Sequence, residues 1–459
     1  MIFKKFKNKT GVTIAMVLIT AMIATGCTNT KQESSNADQN QEVTQSVNIN
    51  TDSLKEKLSK ENVLVVDTRS DEAFNGFKLS EDVKGGHIPG AIQFPTSWLD
   101  KVKDDKELQN LLNEKGINKD LEIVVYSDHG EESMKLLNYL KKLGYEKVYN
   151  YSFSEWSKDD KNEIVKYPNF QVLVSPQWVK DLIDGKKPET YLGNGYVLLE
   201  CNYDGINIYK KGHIPTALQF DTNEIEAPPE WNVKSDAELE KVAKKFGITK
   251  DTTVIVYGNP SMGAERVALA MMYLGVEDVR VLNGGKQAWL DAGFELETKL
   301  NEPSPVNDFG TKTPKNPNYI INIPEAKEIL ANENGALVSV RTWDEYIGKT
   351  SGYSYFDRKG RIKGAIWCNS GNTSQDMANF EDIDGTHKSI AEVEKYYKEI
   401  GLSKDKKVSF YCGTGWRASL TFIDAYILGW KDISVFDDGW FQWSLDPENN
   451  PIEIGVPKN

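Results

Sequence analysis

Three stretches of this sequence repeat one motif, and they read Gly86-His87-Ile88-Pro89-Gly90-Ala91-Ile92, Gly212-His213-Ile214-Pro215-Thr216-Ala217-Leu218 and Gly360-Arg361-Ile362-Lys363-Gly364-Ala365-Ile366. Each copy follows a β-rich run that ends in a turn, and each is followed by an apolar strand, a loop and a helical stretch. The copies recur at intervals of roughly 130 to 150 residues, which is too long for a solenoid repeat and suits whole domains. A chain of 459 residues is also too long for one ordinary core. We therefore predict three tandem domains built on one plan.

The apolar strands after the motif predict the fold class, and they read Ile123-Val124-Val125-Tyr126, Val254-Ile255-Val256-Tyr257 and Val408-Ser409-Phe410-Tyr411. Strands that are apolar on both faces and alternate with amphipathic helices are typical of a parallel sheet covered on both sides. The prediction is α/β three times over, with a central, mostly parallel sheet covered by helices on both faces of each domain. Proline-rich and polar stretches place the domains at 51–165, 166–302 and 303–459.

The residue directly after each of these strands differs between the domains. It is Ser127 in the first, Gly258 in the second and Cys412 in the third. Of these three residues, only the cysteine can form a thiolate, which is a strong nucleophile. Cys412 is therefore the candidate nucleophile among the three equivalent positions.

The loop that begins at this cysteine has a composition that favours the thiolate, and it reads Cys412-Gly413-Thr414-Gly415-Trp416-Arg417. A thiol at a helix N-terminus faces backbone N–H groups and the positive end of the helix dipole. Gly413 and Gly415 are expected to let the backbone curl around the sulfur, and Arg417 adds a permanent positive charge. The same backbone N–H groups and positive charge would also stabilise a persulfide anion at this position.

These motifs, in this order and in three copies, resemble the rhodanese domain, and the whole chain resembles the three-domain exported bacterial enzymes of the thiosulfate/3-mercaptopyruvate sulfurtransferase family. In a rhodanese the reactive cysteine directly follows the central strand, so the resemblance implies that Cys412 is the catalytic residue and that the first two domains, with Ser127 and Gly258 there, are inactive. It also implies double displacement through a Cys412 persulfide, with the loop residues 413–417 binding substrate and persulfide. It implies a small sulfur donor, a thiol or cyanide acceptor, and no metal or organic cofactor. Thiosulfate and 3-mercaptopyruvate both stay open as donors.

Two other functions are weighed against this one. Cysteine phosphatases and arsenate reductases of related architecture have five residues between the cysteine and the arginine, whereas Cys412 and Arg417 enclose four. The smaller ring suits a single sulfur atom better than a tetrahedral oxyanion. The second alternative is a module that binds or senses persulfide without turnover, and the sequence does not separate it from an enzyme.

Several further residues are weaker candidates. Arg341 and Trp343 are possible substrate-binding residues of the third domain, and the insertion between Gly348 and Gly360 lies where related enzymes bind substrate. By the same resemblance, the second domain is expected to wall the Cys412 cleft through residues 219–223. The motif histidines His87 and His213, and the cysteines Cys201 and Cys368, are interpreted as structural.

The N-terminus has the pattern of an export signal. Four lysines precede an apolar run from Val12 to Ala24, which is followed by a sequence that resembles a bacterial lipobox and ends at Cys27. We predict a signal peptide over 1–26, lipidation of Cys27 and a flexible tether over 27–50. The expected location is the cell envelope, with the lipid as the only membrane attachment.

The composition excludes some partners. A net charge of −13 argues against binding nucleic acid or an anionic membrane surface. The four histidines lie far apart, and the cysteines form no C-x-x-C pair, so no metal site is predicted. The oligomeric state is left open.

Overall fold

The computed structural model describes residues 47–258 and 262–457. The predicted signal peptide, the lipidation site Cys27 and most of the predicted tether lie outside the described residues. In the described part of the chain, no helix is long and apolar enough to cross a membrane.

The first domain contains a four-stranded sheet in the order β2-β1-β3-β4, and all its neighbouring strands are parallel. Its elements are α1 (Thr51–Leu58), β1 (Val63–Asp67), α2 (Asp71–Asn75), β2 (Ile92–Gln93), α3 (Asp105–Glu114), β3 (Glu122–Ser127), α4 (Ser133–Lys142), β4 (Val148–Ser152) and α5 (Phe153–Ser157).

The second domain contains a five-stranded parallel sheet in the order β5-β9-β8-β6-β7. Its elements are β5 (Leu173–Val174), α6 (Pro176–Ile183), β6 (Tyr196–Asn202), α7 (Ile206–Tyr209), β7 (Leu218–Asp221), α8 (Asp236–Lys245), β8 (Thr253–Gly258), α9 (Met262–Leu274), β9 (Asp278–Leu282) and α10 (Gly285–Asp291).

The third domain repeats this order as β10-β15-β14-β11-β13 and adds an antiparallel pair, β12 and β16. Its elements are β10 (Ile320–Ile321), α11 (Ile323–Ala331), β11 (Gly335–Val340), α12 (Trp343–Tyr346), β12 (Arg361–Ile362), β13 (Ile366–Cys368), α13 (Ile390–Glu399), β14 (Lys407–Tyr411), α14 (Trp416–Ile427), β15 (Ile433–Phe436), α15 (Gly439–Trp443) and β16 (Ile452–Glu453). The predicted α/β fold class, with three parallel sheets, is confirmed.

The first domain begins slightly before the predicted end of the tether. Asn48 forms a parallel bridge with Asn150 of β4, and the Ile49 N–H donates to the Asn150 carbonyl at 3.0 Å. Asn50 then caps α1 by accepting from the Ser53 N–H at 2.9 Å. Residues 48–50 therefore belong to the fold, because the edge of β4 and the first turn of α1 satisfy their polar groups.

The second and third domains share a helical interface formed by α9 and α14. Every described residue of α9 except Tyr273 is buried, as are ten of the residues of α14. A helix that is apolar nearly all round must be covered on all sides, and α9 lies between its own sheet and the third domain. This contact brings the second domain to the loop that follows β14.

Candidate active site

Cys412 lies between β14 and α14, at the N-terminus of the helix. The Gly415 N–H donates to its Sγ at 3.2 Å, and the side chain is almost fully buried. Gly415 caps α14 with a φ of 101°, a left-handed conformation that a side chain would disfavour. One backbone amide, that of Gly415, therefore faces the sulfur at the positive end of the helix dipole.

Gly413 was expected to let the backbone bend around the sulfur, but the structure shows a different reason for a glycine at this position. A Cβ at this position would lie 2.2 Å from the ring of Tyr353, so only glycine lets the tyrosine approach the loop. Tyr353 belongs to the insertion that follows α12. Its hydroxyl accepts from the Gly413 N–H at 2.8 Å and from Arg417 Nη2 at 2.6 Å.

The phenol of Tyr353 is held as a proton donor. Because its oxygen already accepts two hydrogen bonds, the hydroxyl hydrogen is free to point elsewhere. Burial raises the pKa of Tyr353 well above its ordinary value, although the positive charge of Arg417 opposes this. The group therefore stays protonated at neutral pH beside the cysteine loop.

Arg417 does not present a free positive charge to the sulfur. Its Nη2 lies 2.7 Å from Glu345 Oε1, its Nη1 lies 2.9 Å from Glu345 Oε2, and Nη1 also donates to Ser370 Oγ at 3.1 Å. Burial raises the pKa of Glu345, but Arg417 outweighs burial and holds it below its ordinary value. The expected contribution of the Arg417 charge is therefore largely offset by an ion pair.

Thr414 faces a second tyrosine of the insertion. Its Oγ1 lies 3.2 Å from the hydroxyl of Tyr355, so one of the two groups donates to the other. The ring of Tyr355 is half-exposed and lies 6.4 Å from that of Trp231 in the second domain. Trp231 in turn contacts Tyr203 at 5.7 Å, so aromatic rings extend from the loop across the domain boundary.

The second domain contacts the loop through Glu226 and Arg266. Trp416 Nε1 donates to Glu226 Oε1 at 2.6 Å, and Arg266 Nε donates to Glu226 Oε2 at 3.1 Å. The domain walls the cleft as expected, but with these residues and Trp231. The predicted segment 219–223 makes no hydrogen bond to the loop among the described contacts.

A rhodanese-like domain model matches residues 50–159, 175–292 and 322–446. The chain belongs to the rhodanese family. This rhodanese is 38% identical to thiosulfate sulfurtransferase YnjE of Escherichia coli K12 over 404 residues, which covers 87% of this chain and 91% of YnjE. It is 30% identical to the sulfur carrier protein TtuD of Thermus thermophilus over 60% of this chain and 95% of TtuD. The predicted relationship to three-domain sulfurtransferases is confirmed.

Solved structures of the enzyme EanB are also similar to this rhodanese. Wild-type EanB is 38% identical, with a TM-score of 0.86, over 90% of this chain and 98% of the solved chain. An anaerobic ergothioneine biosynthesis enzyme from Chlorobium limicola, bound to its natural substrate trimethyl histidine, matches equally well over 90% of this chain and all of the solved one. One EanB variant holds ergothioneine covalently linked to a cysteine persulfide.

The loop of the first rhodanese domain keeps the cradle without the thiol. Ser127 Oγ accepts from the Gly130 N–H at 3.1 Å and from the Ser133 N–H at 3.2 Å. The serine oxygen thus receives the backbone amides that would otherwise face a sulfur atom. In the second domain, Gly258 ends β8 with no side chain at all.

The two weaker candidates lie apart from the loop's hydrogen bonds. The Arg341 side chain is buried and donates to Ser339 Oγ at 3.1 Å and to the Gly360 carbonyl at 2.8 Å. The ring of Trp343 is partly exposed and packs against Trp367 at 4.6 Å. Neither side chain is paired with a loop residue among the described contacts, so their role in substrate binding stays a prediction.

The motif histidines and the other two described cysteines have the structural roles expected of them. His87 Nδ1 donates to the Phe74 carbonyl and His213 Nδ1 to the Tyr209 carbonyl, both at 2.8 Å. Cys201 and Cys368 are free and buried, and burial raises the pKa of both thiols. Within residues 47–258 and 262–457, no group of three or more His, Cys, Asp or Glu side chains is arranged to hold a metal ion.

Proposed function

We propose that this sulfurtransferase takes a sulfane sulfur from thiosulfate or 3-mercaptopyruvate onto Cys412. The thiolate attacks the outer sulfur of thiosulfate or the thiol sulfur of 3-mercaptopyruvate, and a new S–S bond forms. With thiosulfate, its S–S bond breaks and sulfite leaves with the electron pair. With 3-mercaptopyruvate, the C–S bond breaks, its electron pair goes to the carbon, and that carbon takes up the thiol proton as pyruvate leaves. A cyanide or thiol acceptor then removes the outer sulfur, and the electron pair of the Cys412 S–S bond returns to the thiolate.

The observation that carries this proposal is the placement of one thiol among three equivalent loops. Cys412 receives the Gly415 N–H at the start of α14, whereas the sister loops hold Ser127 and Gly258. A persulfide anion in the same place would face the same amide and helix dipole. The similarity to thiosulfate sulfurtransferase YnjE supports thiosulfate as the first donor to try.

A second acceptor, hercynine, is favoured by one specific feature. Tyr353 presents a protonated phenol and Thr414 a hydroxyl beside Cys412, and solved EanB structures include tyrosine and threonine variants bound to hercynine or ergothioneine. In that reaction an imidazole carbon bonds to the outer persulfide sulfur. The S–S bond breaks, its electron pair goes to Cys412, and the proton of the former C–H bond is released.

Phosphatase chemistry is less well supported. A phosphate-binding loop needs its arginine to face the oxyanion, but both terminal nitrogens of Arg417 donate to the buried carboxylate of Glu345. If the Arg417 guanidinium turned toward a phosphate, the Glu345 carboxylate would be left buried and unpaired, which is unfavourable in free energy.

One assay series separates these functions. Wild type and Cys412→Ser are compared with thiosulfate and with 3-mercaptopyruvate, using cyanide and then hercynine as acceptor. Thiocyanate made only by the wild type supports the first proposal, and ergothioneine made only by the wild type supports the second. A persulfide on Cys412 without either product would indicate the binding or sensing module. If the wild type forms neither a persulfide nor either product, sulfur transfer is refuted.

We also propose that the protein is exported and attached to the membrane by a lipid on Cys27. The support is the basic and apolar N-terminus followed by the lipobox-like sequence. Membrane and soluble fractions of cells expressing wild type or Cys27→Ala test this. Wild type is expected in the membrane fraction and Cys27→Ala outside it, and an identical distribution of both would contradict lipidation.

A further inference from the structure

Glu226 joins the second domain to the helix that carries the active-site loop. It follows β7 in the second domain, and its side chain is fully buried. One carboxylate oxygen accepts from Trp416 Nε1 at 2.6 Å, and Trp416 is the first residue of α14. The other oxygen accepts from Arg266 Nε at 3.1 Å, on helix α9.

Arg266 extends this connection around the loop. Its guanidinium fills the space beside Gly415, where a Cβ would lie 2.6 Å from Nη1. Its Nη2 also lies 2.5 Å from Asp437 Oδ1. The turn that begins at Asp437 holds the other side of the loop, because the Trp440 N–H donates to the Cys412 carbonyl at 2.9 Å.

These contacts surround the backbone of the loop with charges from two domains. All three side chains of the ion cluster Glu226–Arg266–Asp437 are buried. The cluster has one positive and two negative side chains, so both carboxylates depend on Arg266, whose loss would leave them buried without a cation.

We propose that Glu226 is a positioning residue for sulfur transfer, which holds Trp416 and the amide cradle of Cys412 in place from the second domain. The second domain, which has no cysteine of its own at the equivalent position, then contributes a positioning residue to the active site of the third. Displacement of a reacting group by about 1 Å can lower a rate by about 100-fold, so a loose loop would impair the chemical step more than substrate binding. The inference rests on the proposed Cys412 chemistry.

The titration of Glu226 gives the proposal a pH signature. Burial raises the pKa of Glu226 to about 7, against the opposing effects of Arg266 and Trp416. The negative charge of Asp437 adds to the upward shift. The charge of Glu226 in turn raises the pKa of Tyr355, which is also titratable. The ionised carboxylate accepts stronger hydrogen bonds from Arg266 and Trp416 than a protonated one would, so protonation below about pH 7 is expected to weaken the connection and lower kcat.

The test uses the full chain with Glu226→Gln, Trp416→Phe and the double variant. Glu226→Gln removes the charge, and Trp416→Phe removes the opposite donor while keeping an aromatic ring. Glu224→Gln is the matched control, since Glu224 lies in the same segment but pairs at the surface with Lys245. The measurements are kcat and KM across pH 5.5–8.5 (roughly one and a half units either side of the Glu226 pKa), and amide hydrogen exchange.

Both single variants are expected to lower kcat about 10-fold or more with little change in KM, and the double variant no further than the worse single. In Glu226→Gln the fall in kcat below about pH 7 should disappear. Exchange of the amides at 413–417 should be faster, with no change in β3 of the first domain. Glu224→Gln should behave as wild type.

The inference is overturned if loop exchange is unchanged in both single variants, or if their effects on kcat simply add. General destabilisation would speed exchange in β3 as well as in the loop, and that result also contradicts a positioning role. Amide exchange needs no sulfur donor. A wild type without turnover would therefore refute the proposed function, while the exchange data would still decide this inference.

Discussion

Arg417 and Glu345 form a buried bidentate ion pair, with nitrogen-to-oxygen distances of 2.7 and 2.9 Å. Both side chains are nearly inaccessible to solvent. The arginine that ends the cysteine loop is therefore anchored to α12 and supports Tyr353. These contacts hold the loop and the phenol in place.

Removal of Glu345 is expected to destabilise the protein strongly. Glu345→Ala leaves the Arg417 charge buried without its partner, which costs about 3–5 kcal/mol in the free energy of unfolding. Denaturant unfolding followed by circular dichroism measures this value. The control is Glu394→Ala, which removes an exposed pair with Lys398 and should cost less than about 1 kcal/mol.

Because of the same ion pair, the free energy of unfolding is expected to fall at acid pH. Because the pKa of Glu345 is lowered in the folded state, its contribution is fully present above the ordinary glutamate value of about 4.3 and is lost as the pH falls further. Equal costs for Glu345→Ala and Glu394→Ala at pH 7 would contradict the importance of the buried pair.

Tyr353→Phe is expected to slow the chemistry without unfolding the protein. The change removes the oxygen that accepts from the Gly413 N–H and from Arg417. It also removes the hydroxyl hydrogen, which neither of these two contacts uses. A hydrogen bond to a charged group contributes about 1.5–3 kcal/mol, so kcat should fall roughly 10- to 100-fold. Steady-state kinetics and thermal unfolding are the measurements.

Tyr355→Phe is the matched control for this variant. It removes a single hydrogen bond, to Thr414 Oγ1, on the exposed side of the loop. Its effect on kcat should be clearly smaller than that of Tyr353→Phe. If the two variants lose activity equally, the account of Tyr353 as a hydrogen-bond acceptor for the loop and a proton donor is wrong.

His387 is expected to make stability depend on pH in the alkaline range. Its ring lies between Asp424, at 2.8 Å, and Glu265 of α9, at 3.2 Å. Burial lowers the pKa of His387, but the two carboxylates outweigh it and raise the value to about 10. A raised folded-state pKa means stability that is complete below the unfolded value of about 6.5 and is lost as the pH rises toward 10.

His387→Gln should remove this dependence. The free energy of unfolding of wild type should fall between pH 6.5 and pH 10 (the unfolded and folded values of this histidine), and that of the variant should change much less. A wild type with the same stability at both ends of this range would show that the histidine is not protonated in the folded state.

Sequence patterns predicted the parts of this site that depend on neighbours in the chain. An apolar strand followed by Cys412 and two glycines indicates a strand-to-helix loop, and that loop is present. Gly415 has the left-handed conformation that its residue type suggests. The local pattern also placed Ser127 and Gly258 at the equivalent strand ends of the first two domains.

The residues that support the loop from elsewhere in the fold were not predicted individually, although the resemblance pointed to the insertion 348–360 and to the second domain. Tyr353 lies in that insertion, and Glu226 and Arg266 lie in the second domain, so no spacing in the sequence relates them to Cys412. One signal was present. Helix α9 is apolar except for Glu265 and Arg266, and two charges in a buried helix require partners across an interface.

The most direct test of the central claim is mass spectrometry of the protein after incubation with thiosulfate or 3-mercaptopyruvate. The account predicts one added sulfur atom on the peptide that contains Cys412, and its loss to cyanide as thiocyanate. The buried thiols Cys201 and Cys368 should stay unmodified, and a double serine variant at these positions should transfer sulfur normally. Sulfur on those residues alone, or thiocyanate formation by Cys412→Ser, would contradict the account.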